Sequence, residues 1–468
     1  MRTLVWFRGK DLRLSDHIPL REAIQGGEVV PLFVVDPFFF SAEKAQKMPH
    51  RMHFMRESVE ALERNIASKG SRLICLSGRS VDLLPRLVKR WKIDRVVAYR
   101  WSEPFGRKRD RLIAERLGVP FDLFEGETLA PPGVVRTLGG TPYAVFTPFA
   151  RALRAQAVIG RAAGAPRAIP PLPKDIKTAG TKIPSLKDLG LRENKNLLTG
   201  GEAAARLRLK AFLSTKDDPY IGARDRMDWQ GTSRLSQDLK FGTLSVREVW
   251  NRAQEKCSPQ TWKVFSNQLL WREFAYHTLW DRPELWNKPF KNKWVGFPWQ
   301  KDRRLWEAWS QGMTGYPIVD AAARQLLHQG YVHNRARMIA ASFLTKHLLL
   351  DYRLGEAHYL KYLVDGDWAL NNMGWQWSAG CGCDAQPYFR IFNPITQGKR
   401  FDPDGIYIRQ WIPELESLPQ RFIHEPWKVV EHFRDKKSEA YPKPIVDHRE
   451  ARLRFLSVAK EFLQNGSP

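Results

Sequence analysis

The sequence predicts an α/β N-terminal domain with a parallel, Rossmann-like sheet, then a long connector, then an all-α C-terminal domain. Three observations support this fold class. Short apolar runs alternate with helical patterns over residues 1–125, and residues 126–200 are rich in proline, glycine and lysine. Residues 201–468 show helical spacing almost throughout. Such a change of pattern along the chain is typical of two domains of different class.

Apolar runs predict the strands of the sheet at residues 3–8, 28–36, 72–78 and 95–100. Amphipathic stretches between them, such as residues 51–70, complete βαβ units. The first run is not followed by G-x-G-x-x-G, so a dinucleotide site of that kind is not indicated. Ligands of such sheets usually bind beyond the carboxyl ends of the strands.

The connector contains one helical pattern, at residues 141–158, and its proline-rich stretches predict little other regular structure. The C-terminal domain is predicted to be all-α because apolar residues recur there at helical spacing. The segments with this spacing are residues 202–213, 247–256, 261–280, 317–330 and 334–353.

The balance of charged residues indicates which class of molecule the protein binds. The chain has 75 Lys and Arg against 50 Asp and Glu, a formal net charge of +25. Such a surplus favours nucleic acid, whose phosphates attract basic surfaces without sequence preference. A generally basic, solvated surface is the alternative. An anionic membrane surface is less favoured because the sequence shows no basic amphipathic anchor.

Several other classes of protein are disfavoured. No apolar run reaches the length of about 18 residues that a membrane span needs. Charges within residues 1–16 argue against a signal peptide. The chain has four cysteines, which fits a reducing compartment, so a cytoplasmic protein is expected. Cys381 and Cys383 have C-x-C spacing without a second pair, so no metal site is expected.

Residues 365–377 (DGDWALNNMGWQW) form the most unusual tract of the sequence. The indoles of Trp368, Trp375 and Trp377 alternate with polar residues, which predicts a loop too polar to form a core. Indoles stack on planar cofactors and bases and can pass electrons, so the tract indicates a ligand site. Core packing of the individual tryptophans is the alternative.

Two predicted helices carry polar faces that suit a planar ligand. Gln268, Trp271 and Arg272 share one face, and an amide, an indole and a guanidinium together favour a nucleobase. Asn334 and Met338 share a face of another helix at i, i+4. An exposed polar stripe is the alternative interpretation of the first face.

Phosphate groups have two candidate binding segments. Residues 231–236 (GTSRLS) offer hydroxyls and backbone N–H groups at the opening of a helix, although such clusters are more often helix caps. Arg335 and Arg337 could hold phosphates, or they could pair with Asp365 and Asp367.

Taken in order and spacing, several segments resemble one family, the DNA photolyases and cryptochromes. The similarity is greatest to bacterial cyclobutane pyrimidine dimer photolyases, and it covers nearly the whole chain. The segments are residues 4–17, 232–236, 271–274, 314–326, 333–338, 342–353, 365–377 and 388–394.

The resemblance implies an antenna chromophore in the N-terminal domain and FAD in the C-terminal domain. Hydroxyls and backbone groups of residues 232–236 would hold the diphosphate. Arg337 and Asp365 would pair beside the flavin ring, and Asn371 would face its N5. The implied FAD contacts are Tyr220, Arg224, Thr232, Ser233, Arg234, Leu235, Ser236, Arg272, Asn334, Arg337, Asp365, Asp367 and Asn371.

The activity that the resemblance implies is that of a deoxyribodipyrimidine photolyase, a carbon–carbon lyase that repairs UV-damaged DNA. Light-driven electron transfer from reduced FAD to a dimer flipped out of the duplex would split its cyclobutane ring. The implied lesion- and DNA-facing residues are Gln268, Trp271, Asn334, Arg335, Met338, Trp377 and Arg390.

One departure from the family concerns the lesion. Dimer photolyases usually have glutamate where this chain has Gln268, and glutamine resembles (6-4) photolyases and animal cryptochromes. The (6-4) enzymes use a histidine where this chain has Met338. Dimer repair is therefore expected first, with (6-4) repair and a blue-light photoreceptor as alternatives.

A second departure concerns photoreduction. The family usually passes electrons through three tryptophans, which match Trp375, Tyr352 and Trp299 here. Tyrosine oxidation generally requires the loss of its proton, so transfer through Tyr352 should be slower. The sequence therefore predicts impaired photoreduction or a detour through another indole.

The antenna is the least determined part of the resemblance. Residues 102–110, with Arg51, Glu103 and Lys240, are more similar to deazaflavin-binding members than to folate-binding ones. The expected antenna is of deazaflavin or flavin type, and folate or no antenna are the alternatives. We also expect a monomer without membrane contact, held at the nucleoid of a bacterial cytoplasm by DNA.

Overall fold

A five-stranded parallel sheet forms in the N-terminal part of the chain. The four predicted strands are confirmed, and a short fifth strand, only partly buried, was not predicted. The strand order is β3-β2-β1-β4-β5. The chain adds β2 and β3 on one side of β1 and then crosses over to add β4 and β5 on the other side. The strands are β1 (Arg2–Phe7), β2 (Glu28–Val35), β3 (Ile74–Ser77), β4 (Arg95–Tyr99) and β5 (Phe121–Phe124).

The structure is a computed structural model that describes residues 1–178, 180–214, 220–429 and 440–465. Helices in the first part of the chain are α1 (Ile18–Gly26), α2 (Pro37–Phe40), α3 (Ala42–Ala45), α4 (Pro49–Ala67), α5 (Ser80–Arg90), α6 (Pro104–Leu117), α7 (Phe146–Gln156), α8 (Glu202–Leu213), α9 (Tyr220–Ala223), α10 (Ser236–Phe241), α11 (Val246–Lys256) and α12 (Pro259–Asp281).

The remainder of the described chain is helical, as predicted. Its helices are α13 (Arg303–Gln311), α14 (Pro317–Gln329), α15 (Asn334–Ser342), α16 (Tyr352–Tyr362), α17 (Trp368–Ala379), α18 (Pro394–Phe401), α19 (Ile406–Trp411) and α20 (His448–Asn465). A π-helical turn, Phe343–His347, follows α15 directly. Among the residues that the structure describes, no helix has the length and apolar character needed to cross a bilayer.

Contacts divide the chain into two compact units. Unit 1 comprises Met1–Asp218 and Ser233–Pro283, and unit 2 comprises Pro219–Thr232 and Glu284–Pro468. Unit 1 therefore includes α8 and α10–α12, which follow residue 200 in the sequence. The two units are defined by contacts between residues and do not test the predicted division into three parts at residues 125 and 200. That division remains a prediction.

Each unit has its own apolar core. In unit 1 the sheet packs against α5 and α6 through side chains such as Leu4, Val96 and Ile113. In unit 2 large rings fill the centre, among them Trp309 and Phe343, which are almost completely buried. These cores supply the rigid elements that carry the polar side chains of the candidate site.

The tract at residues 365–377 is not a loop, contrary to the sequence-based expectation. The Asp367 carboxylate accepts hydrogen bonds from the backbone of Ala369 and Leu370 at 3.0 and 3.2 Å, and this caps α17. Gly380, with φ of 96°, ends the helix in the left-handed region. Trp375 lies in the core of unit 2, and the tract's Asn371 and Asn372 donate hydrogen bonds to Glu356 on α16.

Candidate functional site

An ion pair lies between α15 and the segment before α17. The Nη2 of Arg337 lies 3.1 and 2.8 Å from the two carboxylate oxygens of Asp365, and its Nε donates to the Val332 carbonyl at 2.8 Å. Burial by itself lowers the pKa of Arg337, but the Asp365 carboxylate outweighs it and raises that pKa. The predicted pair is present, and its guanidinium is fixed on two sides.

The first turns of α17 present a polar edge. The amide nitrogen of Asn371 donates to the Glu356 carbonyl on α16 at 2.9 Å, and that of Asn372 donates to the Glu356 carboxyl at 3.0 Å. The Asn371 amide oxygen accepts no hydrogen bond from any residue that the structure describes. Asn371 is therefore held with its acceptor available to a ligand.

Glu356 was not among the predicted site residues, although it touches two neighbouring amides. Its side chain is buried between α16 and α17, and burial raises the pKa of its carboxyl to about 7. The sequence carries no signal for this contact, because Glu356 and Asn372 are brought together only by the packing of the two helices.

Arg335 has a different partner from the one expected. Its Nη2 lies 3.0 Å from a carboxylate oxygen of Asp225, and its guanidinium lies 4.4 Å from the ring centroid of Phe401. Arg224 is also near Asp225, at 3.8 Å. Arg335 is two residues before Arg337, so it leaves α15 on another face and pairs with Asp225 instead of Asp365 or Asp367.

The remaining predicted residues of unit 2 range from exposed to buried. Asn334 is exposed, and its amide nitrogen lies 3.7 Å from the Met338 sulfur, which confirms their shared face on α15. Trp377 is half-buried on α17, and Arg390 is exposed. Tyr220 is buried in the short helix α9.

Along the sequence, the assignment of residues to units changes within the predicted phosphate segment. Thr232 is counted with unit 2 and Ser233 with unit 1. Arg234 has a φ of 52°, in the left-handed region, and its carbonyl accepts a hydrogen bond from the Gln237 amide at 2.5 Å. Ser236 then begins α10, so the segment is a turn that leads into a helix.

The predicted polar face of α12 belongs to unit 1, and its three side chains differ in exposure. Gln268 is exposed, Trp271 is half-buried and Arg272 is buried. The Arg272 guanidinium lies 4.4 Å from the Tyr276 ring centroid. Phe146, which the sequence did not single out, stacks on Trp271 with centroids 3.9 Å apart and planes at 7°.

Aromatic rings of unit 2 form a connected series around Trp375. Trp309 lies 6.0 Å from Trp375 between ring centroids, and Trp306 lies 5.6 Å from Trp309. Tyr352 and Trp299 are 6.4 Å apart. Trp375 also packs on the α16 backbone, where a Cβ at Gly355 would meet its ring at 2.1 Å.

The comparisons with known proteins agree on one family. The DNA photolyase profile matches residues 3–173, and the profile described as the FAD binding domain of DNA photolyase matches residues 265–461. Proteins named deoxyribodipyrimidine photo-lyase from Agrobacterium fabrum and Thermus thermophilus are each 38% identical to this chain. The alignments cover 97% of both chains in the first case and 98% of both in the second. The chain belongs to the DNA photolyase family.

Solved structures of photolyases and cryptochromes share the fold. A class III photolyase from Agrobacterium tumefaciens is 36% identical with a TM-score of 0.90, covering 99% of this chain and 98% of that one. A cryptochrome from Synechocystis sp. is 29% identical with a TM-score of 0.89, covering 98% of this chain and 99% of that one. The predicted fold class is thereby confirmed.

FAD is the cofactor of this photolyase-family chain, and the polar groups of unit 2 fit it. The Arg337–Asp365 pair offers charge, and the Asn371 amide oxygen offers a hydrogen-bond acceptor. The Tyr359 hydroxyl is buried near Arg337 without a hydrogen-bond partner in the part of the chain that the structure describes. A buried hydroxyl of this kind normally needs a partner, which a bound ligand can supply.

The antenna residues predicted from the photolyase resemblance are placed on unit 1. Lys240 Nζ lies 3.6 Å from a Glu103 carboxylate oxygen, and Lys10 Nζ lies 2.9 Å from the same oxygen. Arg51 is half-buried on α4. Lys10 was not predicted, although it follows β1 directly, where ligands of parallel sheets often bind.

Proposed function

We propose that this chain repairs cyclobutane pyrimidine dimers in UV-damaged DNA in a light-driven reaction. The observation that carries the proposal is the near full-length similarity to deoxyribodipyrimidine photo-lyases at 38% identity. The exposed amide and half-buried indole on α12 are the side chains that would meet the lesion. Bound FAD supplies light-driven one-electron reduction, and the repair has no net electron change.

Binding the lesion is the work of the protein's own side chains. A dimer must leave the duplex, which costs roughly a few kcal/mol. Trp271 would stack on the extruded bases, with its ring plane fixed by Phe146 on the other face. Gln268 would hydrogen-bond base edges with both its donor and its acceptor, but it supplies no negative charge and does not titrate.

Several groups of the chain would hold the cofactor. Hydroxyls and backbone groups of residues 232–236 would bind its diphosphate, with Arg272, Tyr220, Arg224 and Asp367 as further contacts. The Asn371 amide oxygen would accept a hydrogen bond from the N5–H of the flavin ring. Arg335, Arg390 and Asn334 would meet the DNA backbone and the lesion, together with Met338 and Trp377.

Dimer repair is favoured over (6-4) repair by one position. The histidine that (6-4) enzymes use for proton transfer corresponds to Met338, whose thioether cannot act as an acid. Repair of cyclobutane dimers needs no such acid. A blue-light photoreceptor would use the same cofactor without repairing DNA. A test for repair therefore distinguishes the two functions.

The route of photoreduction follows from the rings around Trp375. Burial raises the pKa of Tyr352, so loss of its proton on oxidation is disfavoured. Trp309 offers an indole that can be oxidised without first losing a proton, at 6.0 Å from Trp375. We therefore assign the predicted detour to Trp375, Trp309 and Trp306.

The antenna and the cellular setting remain parts of this proposal. Glu103, Lys240 and Arg51 would bind an antenna of deazaflavin or flavin type, and folate or no antenna are the alternatives. The protein would act as a monomer in the cytoplasm, bound to DNA through its positive charge.

In the deciding experiment, the purified, reduced, FAD-loaded protein is mixed with one of two oligonucleotides and illuminated. One oligonucleotide contains a cyclobutane dimer and the other a (6-4) photoproduct. Loss of the dimer only under light, with the (6-4) oligonucleotide unchanged and dark samples inert, is the expected result. Repair of the (6-4) product alone would establish the second candidate. No light-dependent repair of either would leave the photoreceptor function and refute the lyase.

A further inference from the structure

A cavity of about 640 Å³ opens on unit 2 and has aromatic walls. Trp294, Trp299, Trp306 and Leu354 contribute apolar surface, and charged side chains stand around them. Leu354, on α16, is 44% exposed. The cavity therefore combines flat rings with an accessible mouth.

Two series of aromatic rings end in this same cavity. One passes from Trp375 through Trp309 to Trp306, with centroid distances of 6.0 and 5.6 Å. The other ends at Trp299, which lies 6.4 Å from Tyr352. Trp299 comes from the segment before α13 and Trp306 from α13 itself, yet both side chains line the one cavity. An electron donor bound in this cavity would therefore meet the outer ring of each series.

The acidic groups of the cavity are already engaged in local structure. The Asp302 carboxylate caps α13 by accepting from the Leu305 backbone at 2.9 Å. Asp351 caps α16 and pairs with Arg353 at 2.9 Å. Both carboxylates are therefore already held by hydrogen bonds within the protein.

A basic side chain lines the opening of the cavity. Lys301 is exposed and makes no ion pair with any residue in the described ranges. Of the other basic side chains in the lining, Arg353 pairs with Asp351 at 2.9 Å, and Arg303 pairs at 2.6 Å with Glu307, which lies outside the lining. Lys301 is therefore the surplus cation. Aromatic walls with one surplus cation fit a flat ring that bears an acidic substituent.

We propose that this cavity binds a planar aromatic hydroquinone with an anionic group and that this molecule re-reduces Trp306 or Trp299. The inference rests on the proposed function, which makes an oxidised indole at these positions. The ring would lie against the indoles, and Lys301 would hold the anionic group.

The electron transfer balances with the two partners named. The indole radical cation gains one electron and becomes a neutral indole. The hydroquinone loses one electron, its O–H bond breaks, and the proton passes to water. Two of the resulting neutral radicals exchange an electron and a proton to give one quinone and one hydroquinone, so no further oxidant is needed.

Equilibrium binding tests the site without light or DNA. Anthraquinone-2-sulfonate, a flat monoanion, is titrated into the FAD-loaded full chain and followed by calorimetry. We expect saturable binding to one site, weakened by about five-fold or more in Lys301→Glu because the charge at the mouth is reversed. Lys460→Glu makes the same charge change on exposed surface of α20 and should alter binding by less than about two-fold. Absence of saturable binding, or equal loss in both variants, would overturn the proposal.

Kinetics provide the second arm. The photoreduction rate should saturate with the hydroquinone form of the probe, with a half-saturating concentration near the dissociation constant. A thiol reductant, which has no ring to stack, should give a linear dependence in wild type and variant alike. Lys301→Glu should raise the half-saturating concentration and leave the limiting rate unchanged. A linear dependence on the hydroquinone would refute the site, and this result is independent of whether the protein repairs dimers.

Discussion

At the scale of single residues, the site depends on side chains held by one or two neighbours. Trp271 is an example, because the Phe146 ring stacks on it at 3.9 Å and restricts its plane. A ring fixed in this way loses little conformational freedom when a base stacks on its other face. The lesion preference is therefore expected to depend strongly on this one indole.

Trp271→Ala should weaken binding of dimer-containing duplex by about 5- to 150-fold, since base stacking contributes about 1–3 kcal/mol. Binding of undamaged duplex should change little, because it depends on phosphates. Fluorescence anisotropy with both duplexes measures this. Trp262→Phe, on the same helix but packed against Trp250, is the matched control. Equal loss for both duplexes would show that Trp271 does not read the lesion.

A second residue-scale prediction concerns Asp365. Asp365→Asn removes the charge opposite Arg337, and loss of one partner of a partly buried pair should weaken FAD retention by about tenfold. The measurement is the ratio of flavin to protein absorbance after gel filtration. Glu414→Gln breaks a comparable pair with Arg324 elsewhere in unit 2 and should keep full flavin content. Undiminished flavin in Asp365→Asn would contradict the assigned contact.

At the scale of elements, the packing of α16 against α17 connects the cofactor side chains to the aromatic series. α16 carries Tyr352 and Glu356, and α17 carries Asn371 and Trp375. The Gly355 backbone allows the Trp375 ring to lie directly on α16, since a Cβ there would overlap the ring. Any residue larger than glycine at 355 would have to move the indole.

Photoreduction distinguishes the two aromatic routes. Trp375→Phe should abolish it, because phenylalanine is much harder to oxidise than tryptophan. Trp309→Phe should slow it by about tenfold or more, which corresponds to a barrier higher by about 1.4 kcal/mol. Tyr352→Phe should have little effect, since the tyrosine proton is hard to lose in its buried site. Flavin absorbance under blue light with excess reductant is the readout. Loss in Tyr352→Phe without loss in Trp309→Phe would restore the family's usual order.

The buried carboxyl of Glu356 makes stability depend on pH. Its pKa is about 7 when folded against the ordinary 4.5, so the folded state binds the proton more tightly than the unfolded state. Stability therefore falls as pH rises between these two values and stays low above about 7. Glu356→Gln keeps an acceptor for Asn372 and removes the charge.

Thermal unfolding of Glu356→Gln should accordingly show a gain over wild type that grows from pH 5 to pH 8. The gain should reach about 1–3 kcal/mol, given that one pKa unit corresponds to about 1.4 kcal/mol. Glu461→Gln, at an exposed position on α20, should show no such trend. A gain that is constant with pH would mean that the carboxyl is not protonated in the folded state.

At the scale of the whole molecule, the net charge of +25 governs association with DNA. Counterion release makes affinity fall steeply with salt, by about 100-fold or more between roughly 50 and 200 mM. The ratio of affinities for damaged and undamaged duplex should change by less than about threefold over this range, because stacking is not ionic. Anisotropy titrations at several salt concentrations test both statements. A ratio that collapses with salt would place lesion recognition in charge contacts instead of in Trp271.

Much of the fold follows from sequence pattern because it depends on local periodicity. Alternating apolar runs specify a parallel sheet, and the strands were predicted except for β5, which is short and half-buried. The helical half follows from spacing of 3.6 residues. The tract at 365–377 was misjudged because its capping residues, Asp367 and Gly380, are stronger helix signals than its polarity is a loop signal.

By itself the sequence determined the fold class, the family and the residue types of the cofactor site, since these depend on composition, spacing and motif. Only the tertiary structure decided which groups meet across elements. It paired Arg335 with Asp225, placed Glu356 between two amides, stacked Phe146 on Trp271 and brought Trp306 and Trp299 to one cavity. These contacts join residues distant in the chain, and no local periodicity encodes which side chains a folded core will bring together.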